Sequence, residues 1–153
     1  MYYGSITGLS TDPDWVTDGG QANAQYGVSV STAGDINNDG YSDVIVGAWY
    51  YDNGQSNEGR AFVYFGDSAG LSTTANWTAE SNQAGADFGL SVASAGDVNG
   101  DGYSDVIIGA NNYDGGQINE GRAYVYHGDS SGLSAVPDWT AESNQASALF
   151  GSS

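Results

Sequence analysis

The chain has 153 residues, enough for one domain of ordinary size, and it is strongly acidic: Lys+Arg total 2, Asp+Glu total 19, and the formal net charge is −17. Such a surface repels nucleic acid and anionic lipid, so neither is expected as a direct partner, and the lack of any cysteine excludes a disulfide framework or a thiolate metal site. The 24 glycines undermine helices, while 12% aromatic and 39% hydrophobic residues argue against the disorder common in acidic chains.

A repeat sets the order of the elements. Trp15, Trp77 and Trp139 recur at a spacing of 62 residues, as do Gly8-Leu9-Ser10, Gly70-Leu71-Ser72 and Gly132-Leu133-Ser134. Residues 23–84 align with 85–146 without a gap, at 42 identical positions in 62. The chain therefore divides into 1–22, a partial preceding repeat with the end of a third strand and an outer fourth strand near Trp15; 23–84, a first whole repeat; 85–146, a second; and 147–153, the start of a third. A block of this size needs neighbours to cover its apolar faces.

Each whole repeat reads as four strands. The first spans 26–34 or 88–96, where Tyr26, Val28 and Val30, or Phe88, Leu90 and Val92, alternate with small residues at period two. An Asp/Asn/Gly loop follows. The second strand is the β-branched run 43–48 or 105–110, ending in Gly-Ala. A Gly/Asn/Asp-rich connection, 51–59 or 113–121, leads to a third strand over 60–66 or 122–128. A turn through Gly70-Leu71-Ser72 or Gly132-Leu133-Ser134 precedes a short fourth strand over 76–80 or 138–142. Four antiparallel strands per repeat describe a β-propeller blade. The fold class expected is all-β: two full blades plus partial blade segments.

The loop after the first strand carries the chemistry. Asp35-Ile36-Asn37-Asn38-Asp39-Gly40-Tyr41-Ser42-Asp43 returns as Asp97-Val98-Asn99-Gly100-Asp101-Gly102-Tyr103-Ser104-Asp105. Oxygen side chains stand at positions 1, 3, 5 and 9, with glycine at position 6 to allow a sharp turn. Ca²⁺ is a hard cation that takes six to eight oxygens, and a tightly turning loop can aim alternate residues at one ion. At position 7, Tyr41 or Tyr103 offers a backbone carbonyl. A plain Asp/Asn/Gly turn has the same composition. An EF-hand would need a bidentate Glu at position 12, where Val46 and Ile108 stand, and a dockerin-type loop would lead into a helix. The β-branched run instead puts the loop between two strands.

The sequence resembles the FG-GAP repeats of the integrin α-subunit β-propeller and their bacterial and fungal relatives. The residues that carry the resemblance are Phe88-Gly89, Ala95 through Val106, Gly109-Ala110 and Gly121-Arg122-Ala123-Tyr124-Val125-Tyr126, with the earlier copy at Tyr26-Gly27, Ala33 through Val44, Gly47-Ala48 and Gly59 through Tyr64. Trp49 and Asn111 replace the proline that the family places after Gly-Ala, and Tyr26 replaces Phe. The resemblance implies two Ca²⁺ per chain. Asp35, Asn37, Asp39, Asp43 and the Tyr41 carbonyl would hold one, and Asp97, Asn99, Asp101, Asp105 and the Tyr103 carbonyl the other. Their affinity is expected at the level of extracellular modules, roughly 10⁻⁴–10⁻³ M.

Other residues have plainer readings. The three repeated tryptophans are expected in packing between blades or on strand four. Trp49-Tyr50, which becomes Asn111-Asn112 in the second repeat, is a candidate ligand-binding pair because the blade itself does not require it. His127 aligns with Phe65 and reads as a strand residue. Arg60 and Arg122 are expected to pair with a nearby acid such as Glu58, Glu120, Asp52 or Asp114. With one histidine, no cysteine, no lysine and no Gly-x-Ser-x-Gly, no catalytic set is found and no enzyme is expected.

The resulting expectation is a non-catalytic, calcium-binding module for extracellular or cell-surface recognition, with a sugar-binding propeller and a purely structural or engineered repeat as rival readings. No apolar run approaches transmembrane length, and Met1-Tyr2-Tyr3-Gly4 has neither the basic region nor the apolar core of a signal peptide. Alternating strand direction places the calcium loops on one face and the 2–3 and 4–1 connections on the other, where a protein or glycan partner is expected. Two blades alone expose apolar faces and strand edges, so self-association into a ring or larger oligomer is expected. In one version the strand near Trp15 completes a neighbouring chain's blade; in the other, residues 1–22 are a loose end.

Overall fold

The computed structural model describes residues 1–6 and 8–153, and among these the chain is all-β with no helix. Its strands in order are β1 (Gly4–Ser5), β2 (Gly8–Leu9), β3 (Tyr26–Gly34), β4 (Asp43–Ala48), β5 (Arg60–Tyr64), β6 (Gly66–Asp67), β7 (Gly70–Leu71), β8 (Trp77–Glu80), β9 (Phe88–Gly96), β10 (Asp105–Ala110), β11 (Arg122–Tyr126), β12 (Gly128–Asp129), β13 (Gly132–Leu133) and β14 (Trp139–Glu142). Two four-stranded antiparallel sheets, β3-β4-β5-β8 and β9-β10-β11-β14, form one per repeat, and β1-β2, β6-β7 and β12-β13 form small hairpins. These are meanders of the kind that make propeller blades. No helix among the described residues is long and apolar enough to cross a membrane.

The second strand of each sheet sits at its centre. All six residues of β4 are buried, as expected of a continuous β-branched run covered on both faces. Register pairs Ile45 with Val63 and Val46 with Phe62, so each face gains an apolar row. The edge pairing of β3 shifts twice, between Tyr26 and Ser29 and between Thr32 and Gly34. Gly27 (φ 85°) and Gly34 (φ 80°) lie at those bulges, in a conformation that costs other residues.

The two sheets stack face to face. Strand β9 packs across β3, β4 and β5. Ile36, Ile45 and Val63 from the first repeat join Phe88, Val106 and Ile108 from the second in one core. The approach is close: a Cβ on Gly47 would lie 1.9 Å from the Gly89 carbonyl oxygen, and Ser29 Oγ donates to that same oxygen at 2.7 Å. Val44, Val46, Phe62 and Tyr64 on the opposite face of the first sheet form a second cluster with Trp15 and Tyr26. Two of the three repeated tryptophans bridge neighbours as expected, while Trp139 is 52% exposed. Trp77 meets Tyr126 edge-on at 4.8 Å and its Nε1 donates to the Ser134 carbonyl at 3.0 Å, while Trp15 repeats both contacts on Tyr64 and Ser72.

Three expectations need correction. The third strand ends at Tyr64 and Tyr126, not at Gly66 and Gly128. Phe65 N–H donates to Asn76 Oδ1 and Gly66 N–H to Asp43 Oδ1, which draws both out of the ladder and into the β6-β7 hairpin. The stretch around Trp15 is not a strand. Asp14 and Trp15 N–H both donate to the Met1 carbonyl and the Met1 ammonium donates to the Trp15 carbonyl, contacts that form no ladder. Lastly, the arginines pair with strand four. Arg60 Nε lies 3.0 Å from Glu80 Oε1 and Arg122 pairs with Glu142, because the register sets these residues directly opposite each other.

Candidate metal centre

Each Asp/Asn/Gly loop joins the first and second strands of a sheet, between β3 and β4 and between β9 and β10. Its local structure is built from carboxylates accepting backbone N–H groups, the Asx-turn habit of Asp and Asn. Asp35 accepts from Asp39 N–H at 3.0 Å and Gly40 N–H at 2.9 Å. Asn37 Oδ1 accepts from Asp39 N–H at 3.2 Å, and Asp39 Oδ1 from Tyr41 N–H at 3.0 Å. Asp97, Asn99 and Asp101 repeat this set, with Gly100 N–H as a further donor to Asp97 at 2.7 Å.

The ninth-position aspartates differ from the rest. Asp43 and Asp105 are fully buried. Asp43 takes Ile36 N–H on one oxygen at 2.8 Å and Gly66 N–H on the other at 2.9 Å. Asp105 does the same with Val98 and Gly128. Each carboxylate thus ties its loop to the hairpin after strand three, and puts both on one face of the molecule. Burial raises the Asp43 pKa above the usual carboxylate range, against the pull of its two N–H donors, and the charges of Asp39 and Asp35 push it further up.

These donors suit a hard cation in kind: three carboxylates, an amide oxygen and a main-chain carbonyl per loop, with no nitrogen or sulfur ligand. Their mutual repulsion at Asp43 marks a place where positive charge is favoured. The arrangement is not a closed cage. Among the described residues no three acidic or imidazole side chains converge closely enough to hold one ion. Asn37 Nδ2 and Asn99 Nδ2 instead donate to Asp39 and Asp101 at 2.9 Å and 2.8 Å.

The opposite face carries the 2–3 and 4–1 connections, joined by Gln21 to Asp52 and by Gln83 to Asp114. Trp49 and Tyr50 lie there, stacked at 4.1 Å with 13° between their planes. Trp49 Nε1 is buried without a partner, and Tyr50 is 38% exposed. In the second repeat Asn112 Nδ2 donates instead to Asp87 at 2.6 Å. Asp87 is buried, and burial raises its pKa to about 6 despite that bond. The sequence reading did not single out Asp87, whose counterpart is Gln25. It also missed the structural part of Glu58 and Glu120, both fully buried. Glu58 accepts Asn53 N–H at 2.7 Å, and Glu120 accepts Gly115, Gly116 and Gln117 N–H. The Gly116 N–H above all holds Glu120 below the usual carboxylate range. The signal available was the unbroken Asn-Glu-Gly-Arg in both repeats.

Comparison with known proteins places this geometry. The FG-GAP repeat model matches residues 26–64 and 88–126, which hold strands one to three and both loops. The chain is 37% identical over 126 residues to Integrin alpha-3 of Cricetulus griseus, covering 80% of this chain and 11% of that protein. It is 36% identical over 119 residues to Integrin alpha-6 of Gallus gallus (74% and 10%), and 35% identical over 134 residues to Integrin alpha-7 of Homo sapiens (85% and 10%). The chain thus spans about a tenth of the length of these relatives.

Proposed function

The chain belongs to the FG-GAP repeat family, and from that premise we propose that it is a non-catalytic, Ca²⁺-binding propeller module for recognition or adhesion at the cell surface or outside the cell. The observation that carries this reading is the pair of loops between strands one and two, each with its ninth-position aspartate buried and bonded across to the next hairpin. Asp35, Asn37, Asp39, Asp43 and the Tyr41 carbonyl would hold one ion; Asp97, Asn99, Asp101, Asp105 and the Tyr103 carbonyl would hold the other. Bound Ca²⁺ supplies positive charge that offsets three carboxylates per loop. The protein supplies the anchor, because Asp43 and Asp105 fix the loop to the sheet whether or not the outer carboxylates move. A partner, protein or glycan, would meet the face opposite the loops, where Trp49 and Tyr50 present an exposed aromatic edge.

Calorimetric titration of chelator-treated protein tests the ion sites. Two Ca²⁺ are expected per chain, with an EDTA-sensitive Tm, since a ligand bound only by the folded state stabilises it. Asp39→Ala and Asp101→Ala should each remove one site and leave the other. No uptake of Ca²⁺ would overturn the reading. The stacked pair favours glycan as a second kind of ligand; an absence of binding on a glycan array would remove that option, and binding that survives Trp49→Ala and Tyr50→Ala would remove the pair as its site.

A further inference from the structure

We propose that the open face of the second sheet docks a second copy of this chain, head to tail, by repeating the interface the chain already makes between its own two sheets. In that internal interface the trailing face of the first sheet (Ile45, Gly47, Ala61, Val63) receives the leading face of the second (Val92, Val106, Ile108, Tyr124). The repeat supplies both faces again. Ile107, Gly109, Ala123 and Val125 are the trailing face of the second sheet, identical to the first-sheet set. Val30, Val44, Val46 and Phe62 are the leading face of the first sheet, differing from the second-sheet set only in Val for Ile and Phe for Tyr.

Val44, Val46 and Phe62 are already covered by a cluster that includes Trp15 and Tyr26, and Ala123 and Val125 are buried too, but around them both spare faces are open where their internal counterparts are closed. Ile36 is 0% exposed beneath the second sheet, and its counterpart Val98 is 57% exposed. Val92 packs into the shared core, and its counterpart Val30 is 59% exposed. Trp77 is bonded to the next sheet, and Trp139 is 52% exposed. A cavity of about 160 Å³ lined by Ile107, Gly109 and Ala123 lies on the trailing face, partly covered by Phe150 and Gly151. The polar contacts would recur as well. Within the chain Ser104 N–H donates to the Asp35 carbonyl at 3.0 Å and Asp35 N–H to Ser104 Oγ at 3.1 Å. Exposed Asp97 and Ser42 are the corresponding pair on the two spare faces.

One contact competes. Trp15 already occupies the Ser72 carbonyl that an incoming Trp139 would use. Strand β14, paired with β11 at four positions and held by the Arg122–Glu142 ion pair, is the better fixed of the two, whereas residues 10–25 contain no strand. Residues 1–22 are therefore the segment that gives way, and they act as a partial self-cover. Because the contact is heterologous it propagates or closes into a ring; it does not stop at a symmetric dimer.

Sedimentation of the full chain in Ca²⁺ buffer, from tens to hundreds of micromolar, tests this. The wild type should self-associate. Val30→Glu and Val98→Glu alter residues already in water, so both should keep the wild-type melt and each should be monomeric. Mixed in equal amounts they should form a 1:1 dimer and nothing larger, since each restores the face the other lacks. Trp15→Ala should associate about tenfold more tightly, because the docking-competent state is more populated. Should Val98→Glu melt early, Trp139→Ser replaces it in the mixture. A monomeric wild type, a monomeric mixture, or single variants that associate like the wild type would each overturn the proposal.

Discussion

Asp43 and Asp39 belong to one proposed ion site, yet the structure gives them different jobs. Asp43 is fully buried and satisfies Ile36 and Gly66 N–H, while Asp39 is exposed. Asp43→Ala would strand two N–H groups, one of them deep in the core, and should cost about 2–4 kcal/mol even in chelator. Asp39→Ala should cost less than about 1 kcal/mol in chelator and show its effect only with Ca²⁺ present. Urea melts with and without Ca²⁺ check this; equal losses in chelator would refute the division of roles. Asp87 adds a pH dependence of its own. Its folded pKa, about 6, exceeds the unfolded value of 3.8, so its stabilising contribution is complete below about pH 4 and is lost as pH rises through 6. At neutral pH the buried charge is a burden. Asp87→Asn keeps the left-handed backbone (φ 59°) that Asn tolerates. It should raise stability at pH 7 by about 1–3 kcal/mol, with the gain vanishing below pH 4. Paired thermal melts from pH 3.5 to 7.5 read the difference, and a gain independent of pH would count against the assignment.

At the scale of the strand, glycines fix how closely the sheets approach. A Cβ on Gly47 would sit 1.9 Å from the Gly89 carbonyl oxygen, and one on Gly109 equally close to that of Gly151. The geometry is the same, but the neighbours are not. Gly89 lies in β9, a central part of the core, whereas Gly151 is in a short segment after β14. Gly47→Ala must push the sheets apart and should cost about 3 kcal/mol or more, while Gly109→Ala should cost about 1 kcal/mol or less because Gly151 lies outside the four-stranded sheets, so no sheet has to shift. Denaturant midpoints of the two variants decide this. The strand-four ion pairs follow the same logic of register. Arg60 and Arg122 each lie over a tyrosine ring, Tyr51 at 5.0 Å and Tyr113 at 4.0 Å, so the guanidinium is held between an acid on the next strand and an aromatic face.

For the whole molecule, charge opposes association while shape favours it. Two bound Ca²⁺ would reduce the formal charge from −17 to −13, which still repels a second copy. Apolar docking against like charge should therefore tighten with added NaCl, as screening removes the repulsion. Sedimentation at about 0.05 M and 0.5 M salt gives the sign. Association that weakens with salt would mean that ion pairs, not the repeated apolar faces, hold the copies.

The sequence by itself determined the repeat, the all-β class and the strand order, because a period of 62 residues and period-two alternation depend only on residue order. It also located the two loops, since the same Asp, Asn and Gly pattern recurs at one fixed spacing in both repeats. What it could not supply was anything that depends on which strands lie side by side. The pairing of Arg60 with Glu80 rather than with nearby Glu58 comes from cross-strand register. The break at Phe65 comes from Asp43 and Asn76 reaching over from other strands. The raised pKa of Asp87 comes from burial under the second repeat's own loop. Residues 10–25 carry the tryptophan of a fourth strand and form none, because a strand exists only with a partner to take its hydrogen bonds, and that partner is decided by the tertiary structure.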